Sequence, residues 1–245
     1  MNKERFVRTC ALFGEEAMQK IYSSTVMVIG CGAVGGYVIE ALARSGVGRI
    51  IVVDFDVFDI SNINRQVLAL TSTIGRKKAD VAKERILEIN PECDVVIKDM
   101  FVKTETVPEL LEMNPDFIVD AIDSLNPKCC LIEELVKASV PFISSMGAAR
   151  KTDPFQIRYD KLNKTSVCPL ARFIRKRLKR RGVDISKVNC VYSSEEANLT
   201  DYSAFGENFD VTDENLTRLP LGSLPTITAI FGLIIANEVL KKIIA

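Results

Sequence analysis

Three glycines stand between an apolar run and a helical stretch near the N-terminus. Gly30, Gly32 and Gly35 form the pattern G-x-G-x-x-G within "VMVIGCGAVGG", and Asp54 ends the next apolar run. Such glycines permit a tight turn, let backbone N–H groups approach phosphate oxygens, and direct the positive end of the following helix towards an anion. An aspartate at the position of Asp54 is suited to two ribose hydroxyls. By themselves, these residues favour NAD over ATP as the ligand.

A polar cluster directly after Asp54 reverses that preference. It contains Asp56, Ser61, Asn62, Arg65 and Gln66, with Lys78 thirteen residues after Arg65. The two bridging phosphates of NAD need few cations, whereas a triphosphate carries about four charges and needs several cations and a metal. Arg65 and Lys78 supply positive charge, and Asp123 in "DAID" supplies an acid for Mg²⁺ at the carboxyl edge of the predicted sheet. The alternative is that Arg65 and Lys78 are only solvated surface charges.

The sequence contains no histidine among its 245 residues. This excludes Ser-His-Asp and Cys-His mechanisms and removes the commonest general base and transition-metal ligand. The chemistry must therefore use other side chains or need little acid–base help.

The composition is that of an ordinary globular protein, with 47% hydrophobic and 26% charged residues. The sequence has seven cysteines, and this odd number argues against a secreted disulfide framework. No two of them form a C-x-x-C pair, which argues against a zinc ribbon. The first residues, "MNKERFVRTC", are too polar for a signal peptide. We therefore expect a reduced, cytoplasmic protein.

The apolar segments alternate between strand and helix character. Predicted strands cover 25–29, 49–54, 94–99, 116–123 and 140–145, and predicted helices cover 11–22, 35–44, 76–89, 105–113 and 126–138. Continuous apolar strands that alternate with helices predict an α/β fold, with a mainly parallel sheet and helices on both faces. After Met146 we expect strands at 154–159 and 187–193, a basic helix at 169–181, a polar acidic stretch at 195–218 and an apolar helix at 226–243.

The last apolar segment raises the question of a membrane span. Residues 219–237 form an uncharged segment that is marginally long enough to cross a bilayer. Pro220, Gly222 and Pro225 break the start of this segment. The remaining helical part before Glu238 is about a dozen residues long, which is more typical of a core helix. We expect a core helix, with peripheral membrane contact as the alternative.

The motifs of the first half resemble a known superfamily. The series G-x-G-x-x-G, "DFD", "SNINRQ", "GRKKAD" and "DAID" is similar to the ThiF-like adenylating superfamily of ubiquitin-activating enzymes and the bacterial activators of thiamin and molybdopterin sulfur carriers. The resemblance runs from about Arg5 to Gly147, and its S-N-x-x-R-Q element is far more specific than the glycines. It implies a Rossmann-like fold, with ATP and Mg²⁺ as cofactors.

The resemblance also implies roles by position. Gly30, Gly32, Gly35 and Asp54 would bind the nucleotide, Asp56, Asn62, Arg65 and Gln66 would line the triphosphate site, Lys78 would stabilise charge at the α-phosphorus, and Asp123 would hold Mg²⁺. Arg8 in "RFVR" would reach the ATP of the opposite subunit, which implies a homodimer. Catalysis would therefore rest on Arg65, Lys78, Asp123 and Arg8.

The second half resembles the tRNA threonylcarbamoyladenosine dehydratases. The similar segments are "NPKCCLIEELV", "DPFQIRYDKLNKTSVCPLARFIRKRLKRRG", "VNCVYSSEEA" and "GSLPTITAIFGLIIANEVL", and they depart from the family pattern at Cys168, where an acid is expected. The resemblance implies that ATP adenylates the side-chain carboxylate of the modified adenosine beside the tRNA anticodon, and that the neighbouring carbamoyl nitrogen closes a ring and expels AMP. It also implies one domain over 1–245, with a nucleotide-binding core at 1–147 and a tRNA- or substrate-binding elaboration at 148–245.

The charge pattern agrees with an RNA partner. Residues 158–181 carry ten Lys or Arg against Asp160, and residues 193–218 carry seven acids against Arg218. At helical spacing, Phe173, Ile174 and Leu178 would face inward. The cationic face would consist of Arg172, Arg175, Lys176, Lys179 and Arg180. Such a face is typical of contact with an RNA backbone, and the alternative is a solvated helix that the acidic segment balances.

Two other functions stay open at this stage. One is adenylation of the C-terminal carboxylate of a ubiquitin-like sulfur-carrier protein, although the paired C-x-x-C motifs common in those activators are absent. The other is a nucleotide-binding module without catalysis, which would have no need of Arg65 and Lys78. A sulfur-relay or other accessory protein is a further candidate partner, whereas DNA is not expected. Ser193, Glu195 and Arg150 are candidate pocket residues, and Cys190 is at most an optional participant.

Overall fold

The structure, a computed structural model, describes residues 4–197 and 221–245. The strands are β1 Thr25–Ile29, β2 Arg49–Val53, β3 Asp94–Lys98, β4 Phe117–Asp120, β5 Phe142–Ser145, β6 Ile157–Lys161 and β7 Asn189–Ser193. The helices of this part are α1 Val7–Phe13, α2 Glu15–Ser23, α3 Gly35–Ser45, α4 Lys78–Ile89, α5 Val107–Leu111, α6 Leu125–Ala138, α7 Pro169–Arg180 and α8 Pro225–Ile244. The predicted α/β fold is confirmed.

The seven strands form one sheet in the order β3-β2-β1-β4-β5-β7-β6. Every neighbouring pair is parallel except β6 and β7, so the sheet is mainly parallel, as the continuous apolar strands predict. The strand order reverses between β1 and β4, because the chain first builds outward through β2 and β3 and then returns to the other side of β1. In open parallel sheets a crevice forms at the carboxyl ends of the strands at such a reversal, and ligands bind there.

Helices cover both faces of the sheet. One apolar cluster packs α2, α3, α4 and α8 against one face, and a second packs α5, α6 and α7 against the other. The helix α8 crosses α3 closely, since a Cβ added at Gly232 would lie 2.6 Å from the carbonyl oxygen of Val34. The prediction of a core helix in this region is therefore confirmed. Among the described residues, no helix has the length and apolar character needed to cross a membrane.

Two expectations for the second half were wrong in detail. The segment 154–156 forms a 3₁₀ turn and the strand begins only at Ile157, because Asp153 accepts a hydrogen bond from the N–H of Phe155 (2.9 Å) and starts a turn. On α7 the buried residues are Ala171, Ile174 and Leu178, whereas Phe173 is 46% exposed. A rotation of about 100° per residue turns Phe173 away from that stripe. Residues 198–218 of the predicted acidic segment and the first part of the uncharged stretch lie outside the described residues.

Candidate active site

A cleft of about 580 Å³ opens at the carboxyl ends of the central strands. It contains most of the residues that the sequence motifs single out, namely Gly30, Gly32, Asp54, Asp56, Arg65, Gln66, Lys78 and Asp123. Gly35, Asn62 and Arg8 do not line it. The cleft lies where the strand order reverses, which is where the topology predicts a ligand.

The three glycines of the loop after β1 serve three different purposes. Gly30 has a φ of +95°, and a Cβ there would lie 2.9 Å from the carbonyl oxygen of Ala121. A Cβ at Gly35 would lie 1.7 Å from the carbonyl oxygen of Gly30, so only glycine lets α3 begin this close to the loop. At Gly32 a Cβ would meet only the Nε2 atom of Gln66, at 3.9 Å, so this glycine leaves open space on the cleft side.

Open donors line the start of α3. The backbone N–H groups of residues 32–35 have no acceptor among the residues that the structure describes. Unpaired N–H groups at a helix N-terminus form a ready anion site, and the helix dipole adds positive potential. The loop is therefore built to accept phosphate oxygens between β1 and α3.

The carboxylate of Asp54 is fixed by the backbone on both sides. Its Oδ2 accepts a hydrogen bond from the N–H of Cys31 (2.6 Å), and its Oδ1 accepts one from the N–H of Asp56 (2.8 Å). These bonds join the end of β2 to the glycine loop and hold an acid at the cleft wall. The position fits the predicted ribose contact, because the carboxylate oxygens have lone pairs left for hydroxyl donors.

Lys78 is the first residue of α4 and forms an ion pair with Asp56, with 2.6 Å between Nζ and Oδ2. The lysine is only 6% exposed, so its position is tightly restricted. Partial burial of Asp56 opposes its ionisation, but the hydrogen bond and charge of Lys78, together with the N–H of Val57, outweigh this and lower the pKa of Asp56. Lys78 thus presents a fixed cation at the cleft, held there by an acid.

Arg65 and Gln66 close the cleft on the side of the polar cluster. Nη1 of Arg65 donates to the carbonyl oxygen of Ser61 (2.8 Å) and to Oδ1 of Asn64 (2.9 Å). Gln66 is buried, and its Oε1 has no hydrogen-bond partner among the described residues. A buried amide without a partner is costly, and its place beside Gly32 suits a polar ligand in the cleft.

Asp123 lies exposed at the cleft, just beyond β4. Its Oδ1 accepts a hydrogen bond from the hydroxyl of Ser124 (3.2 Å). No group of three or more metal-binding side chains occurs among residues 4–197 and 221–245. A carboxylate outside any such group fits Mg²⁺ that is bound together with phosphate oxygens and water.

A buried polar network lies under the loop that carries Asp123. Asp120 and Lys128 are both fully buried and form an ion pair of 2.7 Å, while the hydroxyl of Ser144 donates to Asp120 (2.6 Å). The second oxygen of Asp120 accepts a hydrogen bond from the N–H of Ile122 (3.1 Å). The network therefore fixes the backbone that leads to Asp123. Sequence reasoning missed it, although a lysine inside the apolar stretch of α6 was an available signal.

An apolar wall, also missed by sequence reasoning, bounds the cleft beyond Asp54. Phe55 and Phe101 pack edge to face at its rim, with ring centroids 5.0 Å apart, and Met100 and Val102 lie beside them. These residues follow two neighbouring strands, β2 and β3, so the sheet brings them together. An apolar wall of this kind suits a purine base.

Asn62 and Arg8, two side chains predicted to bind ATP, do not line the cleft. Oδ1 of Asn62 accepts a hydrogen bond from the N–H of Asp59 (3.2 Å) and so caps a short 3₁₀ turn. Arg8 is exposed on α1 and does not line the cleft of its own chain. Their roles in ATP binding stay predictions.

The additional pocket candidates brace a loop and do not line the cleft. The Glu195 carboxylate accepts hydrogen bonds from the N–H groups of Thr152 and Asp153, and the hydroxyl of Ser193 accepts one from the N–H of Glu195. The N–H of Arg150, at a φ of 61°, donates to the carbonyl oxygen of Gly222. Burial raises the pKa of the Cys190 thiol to about 12, so this buried cysteine is a poor nucleophile.

The basic helix α7 runs outward from the cleft, which Leu170 lines. The exposed cations on the helix are Arg172, Lys176, Lys179 and Arg180. Arg175 is half-buried, and its guanidinium donates to the carbonyl oxygen of Thr165 (2.8 Å) and bonds its hydroxyl. Four of the five predicted RNA-binding residues are thus exposed, and the fifth helps to hold the helix in place.

Comparison with known proteins places this arrangement in context. The sequence model of the ThiF family matches residues 5–245. A tRNA threonylcarbamoyladenosine dehydratase of Bacillus subtilis is 37% identical over 98% of this chain and 94% of that protein, and one of Escherichia coli is 36% identical over 99% and 94%. The crystal structure of the E. coli protein TcdA in complex with ATP superimposes with a TM-score of 0.86 at 35% identity, covering 98% of this chain and 94% of that one.

Proposed function

The chain belongs to the ThiF family, and we propose that it catalyses the ATP-dependent dehydration of threonylcarbamoyladenosine in tRNA. The observation that carries the proposal is the similarity to dehydratases over almost the entire length of both proteins, including the part after Met146. The chain is thus an ATP-dependent tRNA-modifying enzyme, and ATP is its nucleotide.

The cleft offers a separate surface to each part of ATP. The apolar wall of Met100, Phe101 and Val102 receives the adenine, and the carboxylate of Asp54 accepts hydrogen bonds from the ribose. The triphosphate lies along the open N–H groups of residues 32–35, with Arg65 and Lys78 as counter-charges. Two cations and a helix N-terminus match a triphosphate better than the diphosphate bridge of NAD.

The first chemical step is attack of the substrate carboxylate on the α-phosphorus. A carboxylate oxygen forms the new P–O bond, the bond to the pyrophosphate oxygen breaks, and pyrophosphate leaves. Lys78 and Arg65 stabilise the charge that develops on the phosphate oxygens, because they are already held in place by their own hydrogen bonds. The nucleophile is ionised at pH 7, so the reaction needs no histidine.

Asp123 is the residue that would hold Mg²⁺ beside the phosphates. Its exposed carboxylate accepts a hydrogen bond from Ser124 at one oxygen, which leaves the other oxygen available for this task among the described residues. When bound, Mg²⁺ supplies charge neutralisation on the phosphate oxygens. The buried pair of Asp120 and Lys128 keeps the backbone under Asp123 in one position.

The second step is intramolecular. The carbamoyl nitrogen attacks the acyl carbon and the ring closes. The nitrogen loses its proton to solvent, and AMP leaves with the oxygen that came from the carboxylate. Together the two steps remove one water from the nucleoside and convert ATP to AMP and pyrophosphate. No nucleophile of the enzyme is required, which agrees with the burial and the raised pKa of Cys190.

The tRNA is proposed to lie across α7. The outward cations Arg172, Lys176, Lys179 and Arg180 follow directly from the cleft-lining residue Leu170. A row of cations on one helix binds the phosphate backbone, and each contact adds to the salt dependence of binding. Arg175 contributes mainly by holding the helix to Thr165.

Several further features of the enzyme are part of the proposal. The chain forms a homodimer in which Arg8 of each subunit reaches the ATP of the other subunit. The enzyme acts in the cytoplasm, where its tRNA substrate is found. It forms a single domain, since residues from both 1–147 and 148–245 share one apolar cluster, for example Val28 and Phe231.

Two other functions have less support. Activation of a carrier protein is disfavoured because the chain has no C-x-x-C pair and carries a basic helix beside the cleft. A module that only binds nucleotide would not need Lys78 held at the phosphate site.

One assay tests the proposal against both alternatives. The protein is incubated with ATP, Mg²⁺ and tRNA that carries threonylcarbamoyladenosine, and the digested tRNA is analysed by mass spectrometry. We expect the nucleoside to lose one water as AMP forms. Arg65→Ala and Asp123→Ala should give no product while the circular dichroism spectrum stays unchanged. An unchanged nucleoside mass with protein that binds ATP would contradict the proposal.

A further inference from the structure

Phe173 occupies an unusual position for a large apolar side chain. It is 46% exposed on α7, one turn after Leu170, which lines the cleft. One turn further along, the guanidinium of Arg177 donates to Oδ1 of Asn126, and the next residue in the chain, Pro127, lines the cleft. Residues three and four apart lie on the same side of a helix, so Phe173 lies between Leu170, which lines the cleft, and Arg177, which contacts α6.

Cations surround the exposed ring. The guanidinium carbon of Arg172 lies 5.2 Å from the ring centroid of Phe173. Lys176 and Arg180 follow at three and seven residues along the same side of the helix. None of these three forms an ion pair with an acid of residues 4–197 or 221–245. An aromatic face bordered by exposed cations matches a ligand that is both flat and negatively charged.

We propose that Phe173 stacks on a base of the anticodon loop next to the modified adenosine, while the cations around it hold the flanking phosphates. The inference rests on the proposed function. The modified adenosine must leave the stack of the loop to place its side chain in the cleft, which removes a stacking partner from its neighbour. Proteins that bind single-stranded RNA commonly offer an aromatic ring to such a base.

A second copy of this chain is a less suitable partner for this surface. A two-fold dimer centred on this patch would pack the patch against itself, so Arg172, Lys176 and Arg180 would meet the same cations of the other copy. Like charges at close distance oppose such contact. A polyanion removes this conflict, and its bases fit the ring.

The experiment uses tRNA that carries threonylcarbamoyladenosine, with 2-aminopurine at the position on either side of it. Stacking on an aromatic ring quenches 2-aminopurine, so binding is followed by fluorescence without ATP. For Phe173→Ala we expect loss of the quench at one of the two positions and about tenfold weaker binding. The salt dependence of binding should stay unchanged, because no charge is removed. Phe173→Tyr should retain both the quench and the affinity.

Lys176→Gln is the matched control one turn along the helix. It should keep the quench but reduce the slope of log affinity against log salt by about one. The stacking proposal is overturned if Phe173→Ala binds and quenches like the wild type, or if it only changes the oligomeric state measured by light scattering. Failure of the wild type to remove water from the nucleoside, with the quench still present, would instead contradict the proposed function.

Discussion

Replacing Gly32 with alanine is expected to weaken ATP binding without harming the fold. A Cβ at this position would meet only Nε2 of Gln66, at 3.9 Å, so the free protein has room for it. The φ of Gly32 lies outside the left-handed region, so alanine is not strained there. Loss of chain entropy in the unfolded state then predicts a stability equal to the wild type or about 0.4–1 kcal/mol higher.

The same methyl group lies where the phosphates are proposed to approach. If it displaces one charge-assisted hydrogen bond from the loop, the loss is about 1.5–3 kcal/mol. At about 1.4 kcal/mol per tenfold, the affinity for ATP falls by roughly 10- to 150-fold. Titration calorimetry with ATP measures the affinity, and scanning calorimetry without ATP measures the stability.

Gly35→Ala is the informative partner in this experiment. Its Cβ would lie 1.7 Å from the carbonyl oxygen of Gly30, and no side-chain rotation can relieve a clash with backbone. We expect a loss of about 3 kcal/mol or more, which lowers the melting temperature by roughly 6–12 °C in a chain of this size. If Gly32→Ala bound ATP as tightly as the wild type, or Gly35→Ala were equally stable, the assignment of the loop would be refuted.

Three further predictions concern charged residues. Lys128→Met leaves the buried Asp120 carboxylate without its cation and should lower the free energy of unfolding in urea by about 3–5 kcal/mol. Replacement of the exposed Lys137 by Met should change this free energy by less than about 0.5 kcal/mol. Equal effects of the two substitutions would contradict the role of the buried pair. Asp123→Asn should raise the Mg²⁺ concentration needed for turnover, while Asp160→Asn on β6 should not, and a parallel shift in both would refute the metal assignment. The pKa of Asp56 is lowered in the folded protein, so its ion pair with Lys78 stabilises the fold fully at pH values above the ordinary carboxyl pKa. This stabilisation is lost as the pH falls through the lower pKa of the folded state. The difference in unfolding free energy between wild type and Asp56→Asn should therefore be constant from pH 8 to about 5 and shrink below about pH 4.

The helices and strands that the sequence predicts best are those whose buried positions follow from a short run of consecutive residues. The strand 25–29 and the helix that follows it need only a continuous apolar run and a glycine loop, and both lie where they were predicted. The α8 helix was also predicted, because the prolines at 220 and 225 limit its apolar stretch. Such signals are local, so they can be read without knowing which other segments the element packs against.

The features that sequence reasoning missed depend on distant contacts. Asp120 and Lys128 become an ion pair only because α6 packs over the end of β4, and Phe55 meets Phe101 only because β2 and β3 are neighbours. The helical spacing of Phe173, Ile174 and Leu178 predicts that all three face inward, but Ala171 takes the buried place of Phe173. A small residue in the stripe lets the helix approach closely and leaves the larger one outside.

The close crossing of α8 and α3 has a consequence for the newly made chain. Gly232 packs against Val34 and Tyr37 at the start of α3, which is the end that presents its N–H groups to the nucleotide. Thr228 on the same helix lines the cleft as well. The nucleotide loop is therefore supported by a segment that leaves the ribosome nearly two hundred residues later. We expect a nascent chain to gain tight ATP binding only after residues 225–244 have been synthesised.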